Sequence, residues 1–205
     1  MVIETKKQNA LDHFVEKTRE LFAKETDLPT RWKALEPVLA ELLADPDVIE
    51  ASKDWPACVS KDGRAENLLF YVDPDYGFAV NGLTKEPANR QGKTRIHHHA
   101  HIYTLYGVLN GREMIQRFDR LDDGSRPDYA EIKLASNIEC GPGDIDMVGP
   151  YEVHSETTIG ERTVAVIIRS QKGGDFNQGR FDIDTKVYFE SLGPRQTPID
   201  MLPKK

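Results

Sequence analysis

The chain has 205 residues, 39% hydrophobic and 30% charged, with 34 acidic against 27 basic side chains for a net charge of −7. This balance suits one soluble folded unit with a sizeable core and argues against nucleic acid or anionic lipid as partners, since no local basic stripe offsets the negative charge. Met1 to Lys7 hold no apolar run of signal-peptide length, no later stretch approaches a membrane span, and Cys58 and Cys140 are too few for a disulfide framework, so a cytoplasmic protein with reduced thiols and no membrane partner is expected.

In residues 9 to 24, Leu11, Phe14, Val15, Leu21 and Phe22 recur at helical spacing, with charged residues between them and His13 on the polar side. A second helical region follows Pro29-Thr30, carries Trp32, Leu35, Leu39 and Leu42 as its apolar stripe, and is interrupted or restarted at Pro37. Asp45-Pro46 reads as the N-cap and first residue of a short third helix. These helices are expected to pack outside a β-structure.

From Leu68 the pattern changes to short runs of β-formers: Leu68 to Val72, Gly77 to Val80, Arg95 to Leu109, Glu113 to Phe118, Tyr129 to Leu134, Ile145 to Val148 and Thr163 to Arg169. Asp73-Pro74-Asp75, Asn110-Gly111, Asp122-Asp123-Gly124, Gly141-Pro142-Gly143 and Gly149-Pro150 punctuate them as turns. Many short strands at this spacing predict a sandwich or barrel with its ligand site in the mouth. After Gly173-Gly174 the tail is expected to cover one end of the barrel or reach a neighbouring subunit.

Four of the six histidines lie in Thr94-Arg95-Ile96-His97-His98-His99-Ala100-His101. On a strand, side chains alternate, so His97, His99 and His101 share one face and His98 takes the other. Imidazoles two residues apart on one face converge, and imidazole is the commonest metal-binding side chain. His154, the only histidine after position 101, is the candidate third ligand.

Thr94-x-Ile96-His97-x-His99 with Gly111, fourteen positions after His97 (111 minus 97), resembles the first cupin motif, and Cys140-Gly141-Pro142-Gly143-Asp144 through Gly149-Pro150 to His154 resembles the second. The resemblance implies a mainly β fold, a double-stranded β-helix or jelly-roll barrel. The expected division is a helical part over about 1-60, a barrel over about 64-172 and a C-terminal extension over 173-205. A narrower likeness, through Asn67 to Pro74, Gly77-Phe78, the histidine run, Gly107 to Glu113 and Gly149-Pro150 to His154, is to the cysteine dioxygenase type I group, the thiol dioxygenases. It implies Fe(II) held by His97, His99 and His154, with dioxygen and a small anionic molecule as substrates.

Three alternatives stay open for His101: a fourth ligand, a proton shuttle, or a member of a shifted His99/His101 pair. Many cupins carry a glutamate ligand six or seven positions after the first histidine, but Tyr103 and Thr104 stand there. Glu156, two residues past His154, is the candidate carboxylate ligand or base, and Tyr103 a candidate donor to a bound oxygen. In the thiol dioxygenases an arginine before the first barrel strand binds the substrate carboxylate, whereas this chain has Glu66 there and Arg64 two residues earlier. The histidine and tyrosine that complete that group's site are replaced by Arg169 and Gln171, which leaves Arg169 as the candidate anion-binding residue and makes free cysteine a poor expected substrate. Competing readings are a Zn, Ni or Mn cupin acting as lyase or isomerase, and a non-catalytic ligand-binding cupin; a homo-oligomer is compatible with any of them.

Overall fold

The computed structural model describes residues 9–61, 64–86 and 95–203, so Thr94 of the first motif lies outside the described residues. Among the described residues four α-helices come first: α1 (Ala10–Lys24), α2 (Leu28–Ala34), α3 (Glu36–Leu43) and α4 (Pro46–Ala51). Each start has a local cause. Asn9 and Asp12 form a capping box on α1, Asp27 accepts from Thr30 N on α2, and Asp45 accepts from Asp47 N and Val48 N ahead of Pro46. The restart between α2 and α3 falls one residue before Glu36-Pro37, because proline supplies no amide and fits only a first turn.

Among the described residues nine strands follow: β1 (Glu66–Val72), β2 (Ala79–Lys85), β3 (Thr104–Arg120), β4 (Ile132–Cys140), β5 (Ile145–Val148), β6 (Val153–Arg169), β7 (Asn177–Phe181), β8 (Tyr188–Leu192) and β9 (Arg195–Pro198). The frame is a 17-residue antiparallel ribbon of β3 and β6. One half of the ribbon pairs with β5 on one flank and β2 on the other, and the other half pairs with β4. A long twisted ribbon with different neighbours at its two ends coils back on itself, giving the mainly β double-stranded β-helix behind a helical segment that the sequence implies.

Several strand limits differ from the expected ones. The run Arg95–Leu109 is not one strand: His97 makes an isolated bridge to His154, the chain turns at Ala100 with φ 55, and β3 starts only at Thr104. Asn110-Gly111 is not a hairpin turn but an irregularity inside β3, where the register with β6 shifts on either side of Asn110. Gly111 carries it with φ +81, and a Cβ there would meet Arg162 O at 2.2 Å. β6 begins ten residues before the expected Thr163 (163 minus 153), and β4 runs on to Cys140.

The helices share a core with one face of the sheet. Phe14, Trp32, Leu39 and Leu43 pack with Leu105, Val166 and Ile168, and α3 docks close to β3 because Gly107 has no side chain: a Cβ there would meet Leu43 Cδ1 at 2.6 Å. The tail folds back in two ways. β9 pairs in parallel with β1, and Met201 O accepts from Trp55 Nε1 at 3.2 Å. β7 and β8 form a hairpin, joined to the barrel by bridges from His97 to Arg180 and from Tyr129 to Val187.

Gly111→Ala should be costly, since it adds both a left-handed penalty and a clash with backbone. We expect a loss of about 2 kcal/mol or more, read as a lower urea midpoint at unchanged m-value.

Candidate metal centre

His97, His99 and His154 come together from two segments, all three buried, and their nitrogen atoms able to serve as ligands lie within 4.8 Å of one another. Two backbone hydrogen bonds set this up. His97 N donates to His154 O and His154 N to His97 O, each at 2.9 Å, which holds the two rings 4.3 Å apart between centroids. The turn at Ala100 then brings His99 alongside, with its Nε2 at 3.0 Å from His97 Nε2.

The other ring nitrogens define what these Nε2 atoms can be. His97 Nδ1 lies 2.8 Å from Arg95 O and His154 Nδ1 3.1 Å from Glu152 O. A carbonyl only accepts, so both Nδ1 atoms carry the proton and both Nε2 atoms present a lone pair when neutral. His99 Nδ1 lies 3.0 Å from Thr104 Oγ1, a group able to accept as well as donate. Burial, and next repulsion from His154, pushes His97 and His99 well below the usual histidine range, so they are neutral. His154 Nε2 is buried with no hydrogen-bond partner, and Glu156 Oε1 sits 3.3 Å from it. Burial raises the Glu156 carboxyl, but His154 and His97, whenever they carry a second proton, together with Lys85 hold the group well below the ordinary carboxylate range. A lone pair facing an ionised oxygen repels unless a cation lies between or beside them, and three imidazoles oriented through Nδ1 are the usual surroundings of a bound metal. The residues present fit a divalent ion.

A cavity of about 550 Å³ opens beside His97 and His99, with His154 behind them, and is lined on its inner side by Leu83, Thr104, Tyr106, Val148, Ile167 and Arg169. Arg169 is buried and donates to Asn81 Oδ1 at 2.9 Å. Below it, Lys85 Nζ and Tyr106 Oη both donate to Glu113 Oε2, at 2.9 and 2.8 Å, and Glu113 is fully buried. The outer wall comes from the segment before β1 and from the tail, with Cys58, Arg64, Gln178, Arg180 and Ser191.

Thus the structure brings His97, His99, His154, Glu156 and Arg169 to one place. It takes the remaining candidates elsewhere. His101 is exposed and bonds Gln171 Oε1 at 3.0 Å, away from the cavity lining, so neither is beside the three histidines. Tyr103 turns outward and stacks on Trp32, centroids 6.1 Å apart. The cause is the turn at Ala100, which reverses strand parity so that Thr104 and Tyr106 face the cavity in place of Tyr103. His98 leaves the site as expected and is buried against Tyr151, Phe181 and Tyr188. Arg64 donates to the carbonyls of Gly193 and Gly174, and Glu66 accepts from Thr197. Burial pushes the Cys140 thiol up to about 11, which makes it inert. Lys85, Glu113, Gln178 and Arg180 escaped the sequence reading; for Lys85 the available signal was a charge closing the otherwise uncharged run Ala79 to Thr84.

No family model and no curated protein matches the chain. Similar solved structures include the cupin domain of Schizosaccharomyces pombe Cnp3, at 10% identity over 56% of this chain and 69% of that one, with a TM-score of 0.40. Hydroquinone 1,2-dioxygenase PnpCD is similar at 11% identity over 74% and 75%, with a TM-score of 0.42. A double-stranded β-helix protein from Klebsiella pneumoniae is similar at 14% identity over 67% and 85%, with a TM-score of 0.38. No helix among the described residues is long and apolar enough to cross a membrane.

Removing one partner of the buried Lys85–Glu113 pair leaves a charge stranded beside the cavity. Lys85→Met is expected to cost about 3 to 5 kcal/mol, and Lys85→Met with Glu113→Leu to recover most of it, measured by equilibrium denaturation.

Proposed function

We propose that the protein is a mononuclear metal-dependent dioxygenase of the thiol-dioxygenase type, with Fe(II) as its ion and a small anionic organic molecule as its substrate. The observation that carries this reading is the convergence of three buried Nε2 atoms, two of them on rings held neutral, beside a cavity lined by His97, His99 and Arg169. His97, His99 and His154 would hold the ion, which when bound supplies redox chemistry and coordination positions for a substrate donor and dioxygen. Three neutral ligands leave its double positive charge in place, which favours an anionic substrate.

The chain's own groups have separable tasks. The carbonyls of Arg95 and Glu152 and the Thr104 hydroxyl fix the ring orientations. Leu83, Val148 and Ile167 exclude water from the inner cavity. Tyr106 stays protonated, because burial and the adjacent Glu113 push its phenol well above its ordinary value, so it donates and does not act as a base. Arg169 offers the fork of donors that an acid group takes. A second reading, a redox-inert Zn, Ni or Mn lyase or isomerase, is favoured by one observation: Glu156 is an ionised carboxylate beside His154 Nε2, where a proton-abstracting base would stand.

Metal analysis of protein purified from its own host, followed by oxygen-electrode assays over a panel of thiols, tests both. Iron with thiol-dependent oxygen uptake is the expected result; zinc, nickel or manganese with no uptake sinks the dioxygenase reading. His97→Ala, His99→Ala and His154→Ala should each lose stoichiometric metal while keeping most of the fold, and His98→Ala should keep its metal. Free cysteine should turn over at least about tenfold more slowly than the best thiol acid, because Glu66 stands where a carboxylate-binding arginine is needed and a charged hydrogen bond is lost.

A further inference from the structure

Among the arginines on the cavity wall, Arg169 and Arg180 are the two whose guanidinium groups donate to neutral side chains, with no carboxylate partner among the described residues. Arg169 is 4% exposed; its acceptors are the side-chain oxygens of Asn81 at 2.9 Å and Asn67 at 3.5 Å, and its buried Nε has none. Arg180 donates to Ser191 Oγ at 3.3 Å and to Gln178 Oε1 at 3.0 Å, again neutral groups. The two arrive from different parts of the fold. Arg169 ends β6, paired between β2 and β3, while Arg180 belongs to the β7–β8 hairpin, where it bridges to His97. Burial lowers each only to about 10, so both stay charged at neutral pH. Glu156 is the carboxylate whose field reaches both, and it is set against His154 Nε2. A buried guanidinium satisfied only by amide and hydroxyl oxygens is costly. Arg169, buried, and Arg180, half-buried, on the wall of one cavity leave donors and positive charge for a ligand to meet.

We infer that the substrate is a dianion, a small organic acid with a carboxylate at each end, one held by Arg169 and the other by Arg180. The inference deepens the reading of this cavity as the substrate site. The cavity, at about 550 Å³, has room for a chain that spans two such groups.

The test is calorimetric titration of the full-length protein, as purified, with succinate and glutarate against butyrate and valerate, with inorganic phosphate as a further arm. The diacids should bind at least about tenfold more tightly than the monoacids, and Arg169→Gln and Arg180→Gln should each bring diacid affinity down to the monoacid level. Equal affinity for diacids and monoacids, or no binding of either, overturns the proposal, and phosphate matching the diacids overturns the carboxylate assignment. Thermal melts guard against misfolded variants. Without ligand Arg169→Gln should melt no lower than the parent, since it removes an unsatisfied buried charge; a lower melt overturns that premise. A diacid should raise the melting temperature of the parent but not that of Arg180→Gln, and equal stabilisation of both counts against Arg180. Repeating the titration on His154→Ala, with its metal content measured, separates this proposal from the metal reading. Diacid binding that persists in metal-free protein assigns the acid groups to the arginines, and binding lost together with the metal overturns the two-arginine assignment.

Discussion

Three imidazole nitrogens pointed at one spot, with their protons committed elsewhere, are the constraint on which the rest of this structure depends. His97 and His154 give up their Nδ1 protons to main-chain carbonyls that are themselves fixed by the local backbone. The array then holds lone pairs and a carboxylate oxygen in close quarters, an arrangement that is electrostatically unfavourable until a cation completes it. The reciprocal backbone bonds between His97 and His154 are what force the rings into this contact. Those bonds exist because β6 starts at Val153, well before the segment that its apolar residues alone mark as a strand.

That early start explains how much of the fold was legible in the sequence. The start of α4 was readable because capping and proline chemistry act within four residues: Asp45 caps ahead of Pro46 whatever the rest of the chain does, whereas α2 starts at Leu28, ahead of the expected Pro29-Thr30. The β-class was readable from the β-former runs. What could not be read was continuity across irregularities. Asn110-Gly111 has the composition of a hairpin turn, yet β6 lies alongside and keeps the strand running, so the glycine supplies a bulge and not a reversal. The first half of β6, through Ser155, Glu156 and Thr158, is polar because it lines a site or packs against polar partners, and polar residues do not announce a buried strand.

The convergence of the three histidines was legible and the surroundings less so, for a related reason. His97, His99 and His154 follow from residue type and spacing, since few other pressures gather imidazoles. Tyr103 was misassigned because alternation was carried through a segment where the backbone turns; the φ of 55 at Ala100 is a non-glycine in the left-handed region, which composition does not reveal. Arg180 and Gln178 come from the tail, whose route back over the cavity is decided by tertiary contacts, including β9 pairing with β1 and the lodging of Trp55 Nε1 on Met201 O.

His98 shows how neighbouring residues of one type are separated by what is offered to them. Its Nδ1 receives hydrogen bonds from two backbone amides, Ala100 N at 3.0 Å and Gly179 N at 3.3 Å, while its own amide donates to Gly179 O at 3.2 Å. Its lone pair is therefore met by protein donors, whereas the lone pair of His154 Nε2 has no donor. The partner of His98 is β7, and only glycine allows the approach: a Cβ on Gly179 would fall 2.3 Å from His98 Nε2. The same short stretch thus faces the cavity with His97 and His99 and clasps the C-terminal hairpin with His98. Because Arg180 follows Gly179 directly, the clasp sets the position of the outer arginine relative to the histidines. A change that loosened the hairpin would leave the three nitrogens intact but remove one wall of the cavity they face.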